Sequence, residues 1–299
     1  MRDIIHMNFL LKQNMQNHLL IFGYGYTSSN LAKSLNPNKW NICGTSRSKA
    51  KDEYCDIINY EKFTIERVLK ASTHILISIP PNDQGDIVFQ DFKDLIVRYS
   101  NIKWIGYLSS TAVYGNHNGA WVNENSKTNP SSQKGTNRKL AENQWIKFGK
   151  ENNISVNIFR LSGIYGPNRN ALLQVKNGKA RSVYKKGQVF SRIHMSDIVQ
   201  IIERAMEKTF KNEIFNLADD YPCSTIEINS YAANLLKLPE PEIINYEKAN
   251  LSEMAKEFYR DNKRISNQKI KEMLDITLEF PTYREGLNQL FVDEYSKLN

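Results

Sequence analysis

A chain of 299 residues is long enough to bury a full α/β core and still carry a second, smaller lobe. Hydrophobic residues make up 40%, which excludes a disordered chain, and no apolar run approaches the ~18 consecutive residues of a membrane span. The net charge of +8 arises from 40 basic and 32 acidic residues interspersed along the chain, without a zinc-finger, RNP or basic-region pattern, so neither nucleic acid nor membrane is an expected partner.

Residues 1–16 hold one short apolar patch, Met7–Leu11, then polar residues with no small-residue cleavage pattern, and are expected to form an N-terminal extension. The three cysteines, Cys43, Cys55 and Cys223, are sparse and have no metal-ligand spacing. They predict a reduced, cytoplasmic setting and no bound metal.

From His18 onward strand-sized apolar runs alternate with amphipathic stretches. The pattern predicts strands at His18–Phe22, Trp40–Gly44, His74–Ile79, Lys103–Ser109 and Ser155–Arg160. Helices are expected between them at Ser28–Leu35, Ile65–Ala71, Val88–Tyr99 and Arg138–Lys150. Such alternation with near-continuous apolar strands implies an α/β fold, a Rossmann-type doubly wound, mostly parallel sheet over residues 17–170. Further on, a helix is expected at Ser196–Lys208 with Ser196 as N-cap, then a strand at Glu213–Leu217 and a helix at Thr225–Leu236 stopped by Pro239 and Pro241. Residues 171–299 are thus read as a smaller C-terminal substrate lobe, partly interleaved with the sheet domain.

The first strand runs directly into Gly23-Tyr24-Gly25-Tyr26-Thr27-Ser28 and then into a helix. This is the context a dinucleotide-binding turn requires. Gly23 makes the tight turn, Gly25 lets a pyrophosphate approach the backbone, and the helix N-terminus offers unpaired N–H groups. Ser28 stands at the third glycine position, where a small residue permits close packing. An NAD site usually carries Asp or Glu about 20 residues on. Here the second strand ends in Gly44-Thr45-Ser46-Arg47, and the first acid after Gly25 is Asp52. Ser46 and Arg47 suit a 2′-phosphate, so NADP(H) is the preferred cofactor, with NAD(H) the alternative.

Further segments carry a family resemblance. Leu108-Ser109-Ser110-Thr111-Ala112-Val113-Tyr114-Gly115 resembles the fifth-strand end of extended short-chain dehydrogenases/reductases, the NAD-dependent epimerase/dehydratase family. Arg160–Pro167, Arg192–Asp197 and Phe215–Asp220 resemble later segments of the same family, in the same order. Ser78-Ile79-Pro80-Pro81, Gly119–Val122 and Pro281–Gly286 resemble those of an atypical branch. The resemblance implies that Ile79, Pro80, Pro81 and Ser109 line the cofactor and that Ser110 is the catalytic hydroxyl. Read from the residues alone, Ser110 is equally a strand-end hydroxyl capping a turn.

The family's Tyr-x-x-x-Lys pair is missing. By the helix pattern Leu140-Ala141-Glu142, its Tyr position falls on Lys134 and its Lys position on Arg138. Arg138 stays a candidate for cofactor ribose or phosphate and, by position, for the catalytic set. A guanidinium stays charged and is no proton donor. Tyr114, Arg169 and Arg192 are the substrate candidates, while His194 and Asp197 are either catalytic or part of a buried network. The resemblance implies an oxidoreductase acting on a small-molecule substrate, a small polar or sugar-nucleotide-like compound, and a homodimer packed through helices. The missing Tyr favours an alternative, a non-catalytic NADP-binding sensor or assembly protein.

Overall fold

Asn17–Phe22, with five of its six residues buried, becomes a central strand because apolar side chains on both faces can be covered only inside a two-sided sheet. The computed structural model describes residues 17–47, 51–99, 101–208 and 210–295, so the extension expected over residues 1–16 lies outside the described residues. In chain order the elements are β1 (Asn17–Phe22), α1 (Tyr26–Ser34), β2 (Trp40–Thr45), β3 (Asp56–Ile58), α2 (Lys62–Leu69), β4 (His74–Ile77), α3 (Ile87–Arg98) and β5 (Trp104–Ser110). They continue with β6 (Trp121–Val122), α4 (Gln133–Asn152), β7 (Ser155–Leu161), β8 (Gly163–Tyr165), α5 (Ala171–Lys176), β9 (Ser182–Tyr184), β10 (Arg192–His194) and α6 (Met195–Lys208). The last are β11 (Glu213–Leu217), α7 (Thr225–Leu236), β12 (Ile243–Asn245), α8 (Glu253–Arg260), β13 (Arg264–Ile265), α9 (Gln268–Leu274) and α10 (Tyr283–Tyr295).

Seven strands form the main sheet in the order β11-β7-β5-β4-β1-β2-β3. β1 pairs in parallel with β2 (Leu19 opposite Ile42) and with β4 (Leu20 opposite Ile75), and β4 in parallel with β5. The chain therefore builds outward from β1 to one side, then returns to build from β4 to the other. That reversal leaves a crevice at the carboxyl ends of β1 and β4, where open α/β sheets bind ligands. The fold is a Rossmann-like, mostly parallel α/β sheet with flanking helices and a second lobe.

Two compact units share the chain. One comprises Met1–Ser109, Leu140–Phe159 and Ile202–Ile214; the other comprises Ser110–Lys139, Arg160–Ile201 and Phe215–Asn299. The first unit is centred on Phe22, Phe92, Tyr107 and Trp145, all at most 2% exposed. In the second, Tyr165, Leu172, Ile228, Ala232 and Leu287 form a core among α5, α7 and α10.

Most elements lie where the apolar pattern puts them, and the departures have local causes. β3 was not expected; its three half-buried residues show no alternation. α1 starts two residues early, at Tyr26, with Gly25 as N-cap. α6 starts at Met195, so Ser196 is inside the helix rather than its N-cap, and its N–H donates to His194 Nδ1 at 3.2 Å. α7 spans the expected residues, capped by the Ser224 hydroxyl and ended by Lys237 at φ 54°.

Candidate functional site

The glycine turn belongs to the first unit, and two constraints hold it. Gly23 sits at φ +92°, and a Cβ there would lie 2.9 Å from Ile79 Cγ1 and 3.0 Å from the Ile79 nitrogen. Only glycine meets both demands. The Gly23 N–H donates to Thr45 Oγ1 (2.9 Å), and the Tyr24 N–H to the Thr45 carbonyl (2.7 Å), tying the turn to the end of β2. Ser28, fully buried, donates its hydroxyl proton to the Gly23 carbonyl at 2.9 Å.

In front of α1 the surroundings differ. Gly25 is exposed, no side chain caps the helix, and a Cβ on Gly25 would meet nothing within 4 Å. This open approach to a helix N-terminus, flanked by the backbone of Tyr26 and the buried Thr27, fits a pyrophosphate. The Tyr24 ring instead turns under the strand end: a Cβ on Gly44 would touch it at 2.9 Å and Cys55 Sγ at 3.0 Å. Burial, with Asp52 nearby, pushes the Tyr24 phenol upward, so it stays protonated as a packing group.

Beside the turn, Ser46 is half-buried with its N–H on the Ile58 carbonyl (3.1 Å), and Arg47 is exposed. Ile79 and Pro81 are half-buried and Pro80 is exposed, just past β4. Ser109 is buried, and its hydroxyl donates to Glu142 Oε1 of α4 at 2.5 Å.

The remaining candidates belong to the second unit. Ser110 caps the 3-10 turn Thr111–Tyr114, its Oγ accepting the Ala112 N–H at 3.2 Å. Tyr114 is fully buried. Its hydroxyl donates to Asn216 Oδ1 (2.7 Å) and accepts from Arg160 Nη1 (2.9 Å), and the Arg160 guanidinium lies 4.8 Å from its ring centre. Burial raises the Tyr114 phenol while Arg160 opposes the shift. Lys134 is exposed and Arg138 half-buried, both in the first turns of α4, and Lys139 Nζ donates to the Thr128 carbonyl (2.8 Å).

Arg192 is half-buried, and its Nη1 donates to the carbonyls of Phe190 (2.9 Å) and Cys223 (3.1 Å). Burial pushes the neighbouring Cys223 thiol up to about 12 and the Asp219 carboxyl up to about 8, with Arg192 opposing both. Arg169 is exposed and closes a turn with Gly166. His194 is buried between Tyr165 and Phe280, with ring centres 5.1 and 4.1 Å away, and burial lowers it to about 4. The Asp197 carboxylate accepts the N–H groups of Glu279 (2.7 Å) and Phe280 (3.3 Å), and burial raises it to about 6. Histidine and aspartate thus belong to a buried network that fixes the chain before Pro281.

Sequence reading missed the strap Arg260–Arg264. Lys263 Nζ donates to the Gly115 carbonyl (2.9 Å) and to Asp261 Oδ2 (3.0 Å), and burial lowers its pKa. The only signal in the sequence is the density of charge, which solvated surface loops share. Among the described residues no group of three His, Cys, Asp or Glu side chains could hold a metal ion.

Residues 94–218 match the NAD dependent epimerase/dehydratase family. A functionally unknown conserved protein from Silicibacter pomeroyi DSS is 38% identical over 94% of this chain and 100% of that one, with a TM-score of 0.85. The dTDP-glucose 4,6-dehydratase of Bacillus anthracis str. Ames, solved with NAD, is 18% identical over 94% and 98% of the two chains, at a TM-score of 0.75. The UDP-glucuronic acid 4-epimerase of Bacillus cereus, solved with UDP-glucuronic acid and NAD, is 15% identical over 94% and 100%, at a TM-score of 0.73. No curated protein matches the sequence. Fold and glycine turn define a Rossmann-type α/β protein. The chain belongs to the NAD dependent epimerase/dehydratase family.

Proposed function

We propose that this protein is an NADP(H)-binding oxidoreductase of the epimerase/dehydratase kind, acting on a small polar or sugar-nucleotide-like substrate. The observation that carries the reading is the glycine turn: a locked Gly23, an open Gly25 and a β2 end with Ser46 and Arg47 in place of a carboxylate. The backbone from Gly23 to Ser28 would hold the pyrophosphate, Ser46 and Arg47 the 2′-phosphate, and Arg138 a ribose or phosphate oxygen. Ile79, Pro80, Pro81 and Ser109 complete the proposed cofactor set. A bound nicotinamide supplies or accepts hydride.

In this reading the Ser110 hydroxyl orients a substrate oxygen. Its Oγ accepts the Ala112 N–H, a bond that leaves the hydroxyl proton for the substrate. Tyr114, Arg169 and Arg192 remain the proposed substrate contacts, with Arg169 the most exposed of the three. Related folds solved with NAD, one of them also with UDP-glucuronic acid, support the substrate class. Three buried cysteines without disulfides suit a reduced cytoplasm, and a homodimer is the proposed assembly.

A second reading, a non-catalytic NADP-binding sensor, is favoured by one observation: the position assigned to the proton-donating Tyr holds Lys134, on the surface. Titration with NADPH and NADH, followed by nicotinamide fluorescence, tests the cofactor. Incubation with UDP-sugars then tests turnover. Tighter binding of NADPH supports the proposal, and binding of neither nucleotide sinks both readings. Turnover of any UDP-sugar excludes the sensor.

A further inference from the structure

Three segments of the second unit meet around the turn that Ser110 caps. The start of α4 comes so close that a Cβ on Gly135 would lie 2.8 Å from the Ala112 carbonyl oxygen, two residues from Ser110. The strap reaches the other end of the same turn through Lys263 and Gly115. Strap and helix start are joined directly, the Ser131 hydroxyl donating to Asp261 Oδ1 (2.5 Å) and Arg260 Nη1 to the Ser131 carbonyl (3.0 Å).

The charges on these segments are lopsided. Lys134 and Lys139 lie on the helix start and Arg260, Lys263 and Arg264 on the strap, which also carries the carboxylate of Asp261. Asp261 pairs with Lys263. Lys139, Arg260, Lys263 and Arg264 all donate to backbone carbonyls, those of Thr128, Ser131, Gly115 and Gly119. A carbonyl satisfies an N–H but has no net charge, so the excess positive charge is left in place. Lys134 offers an ammonium where the family resemblance assigns a proton-donating phenol, and the positive end of α4 adds to it.

We infer that this cluster binds an anionic group on the substrate itself, a carboxylate or a phosphate close to the carbon whose oxygen Ser110 addresses, with Lys134 as the ligand that selects it. The inference rests on the substrate-binding reading of Ser110 given above. It replaces proton transfer at the Lys134 position with recognition of charge. A neutral sugar gains nothing from such a cluster, whereas an acidic one gains a charge-assisted hydrogen bond.

Calorimetry on the NADPH-saturated protein tests this, with UDP-glucose and UDP-glucuronic acid compared on the wild type and on Lys134→Gln. Free glucuronate and inorganic phosphate are run in parallel to separate carboxylate from phosphate recognition. UDP-glucuronic acid is expected to bind about tenfold more tightly than UDP-glucose, and Lys134→Gln to remove most of that preference. The variant should keep its circular dichroism spectrum and its NADPH affinity. Equal affinities, or a preference that survives in Lys134→Gln, overturn the inference while leaving the sugar-nucleotide reading intact. If neither UDP-sugar binds, that reading falls. The inference then stands only where glucuronate or phosphate binds the wild type and not the variant, and otherwise it falls too.

Discussion

The Ser28 hydroxyl donates to the Gly23 carbonyl at 2.9 Å, so the residue at the third glycine position closes the turn that the first glycine opens. Glycine there could pack as closely but could not make this bond. Losing it is expected to lower stability by about 1 kcal/mol in Ser28→Ala. Gly23→Ala should do worse, by about 1–3 kcal/mol, because its φ of +92° is strained for any Cβ and the Ile79 backbone leaves no room. Urea unfolding of both variants checks the order. A Gly23→Ala protein as stable as the wild type would refute the account of the turn.

Arg47 is exposed at the end of β2, so replacing it should not disturb folding. If it holds a 2′-phosphate, Arg47→Ala loses a charge-assisted hydrogen bond worth about 1.5–3 kcal/mol, or about 10- to 150-fold in NADPH affinity. NADH, which lacks that phosphate, should bind the variant as it binds the wild type. Fluorescence titration of the two nucleotides reads both numbers. An equal loss for both would remove Arg47 from the 2′-phosphate site.

The turn was legible because its chemistry is written in the backbone: glycine is the only residue that tolerates both the φ and the contact at position 23, and sequence records that directly. The parallel strands were legible for a similar reason, as short apolar runs covered on both faces. β3 was not, since half-buried Asp56, Ile57 and Ile58 have no period to detect. Partnerships made across the fold were equally hidden. Tyr114 is one phenol in a strand-end motif until Asn216, 102 residues away, accepts its hydrogen bond. The strap Arg260–Arg264 reads as a charged surface loop until its side chains are seen to grip three separate segments.

That partnership sets a test for Tyr114. Tyr114→Phe keeps the ring packed against Arg160 but leaves Arg160 Nη1 and Asn216 Oδ1 without the hydroxyl, in a site with no exposure to water. Each buried group deprived of a partner costs about 1–3 kcal/mol. The variant should therefore unfold at clearly lower denaturant while its affinity for NADPH is unchanged. Unaltered stability with weakened substrate binding would mean that the Tyr114 hydroxyl serves the substrate rather than the buried pair.

His74 supplies a pH-dependent stability of definite sign. Its ring is buried between Trp40 and Trp104, with centres 4.8 and 6.0 Å away, and Nδ1 meets the Thr73 hydroxyl at 2.8 Å. Burial, assisted by Lys103, lowers it from 6.5 to about 4. Below pH 6.5 the unfolded chain takes up a proton that the folded protein refuses. The stabilising contribution is therefore complete above pH 6.5 and is lost as pH falls towards 4, at about 1.4 kcal/mol per pH unit. His194 acts in the same direction, but the raised Asp197 and Asp219 act oppositely, binding protons more readily folded than unfolded. The whole-protein profile hence mixes terms that offset one another, and the difference from a variant isolates one of them. Between pH 7 and pH 5 the wild type should lose about 2 kcal/mol relative to His74→Phe, measured by urea unfolding at each pH. A difference that stays constant over that range would mean that His74 takes up its proton in the folded sheet as readily as in the unfolded chain.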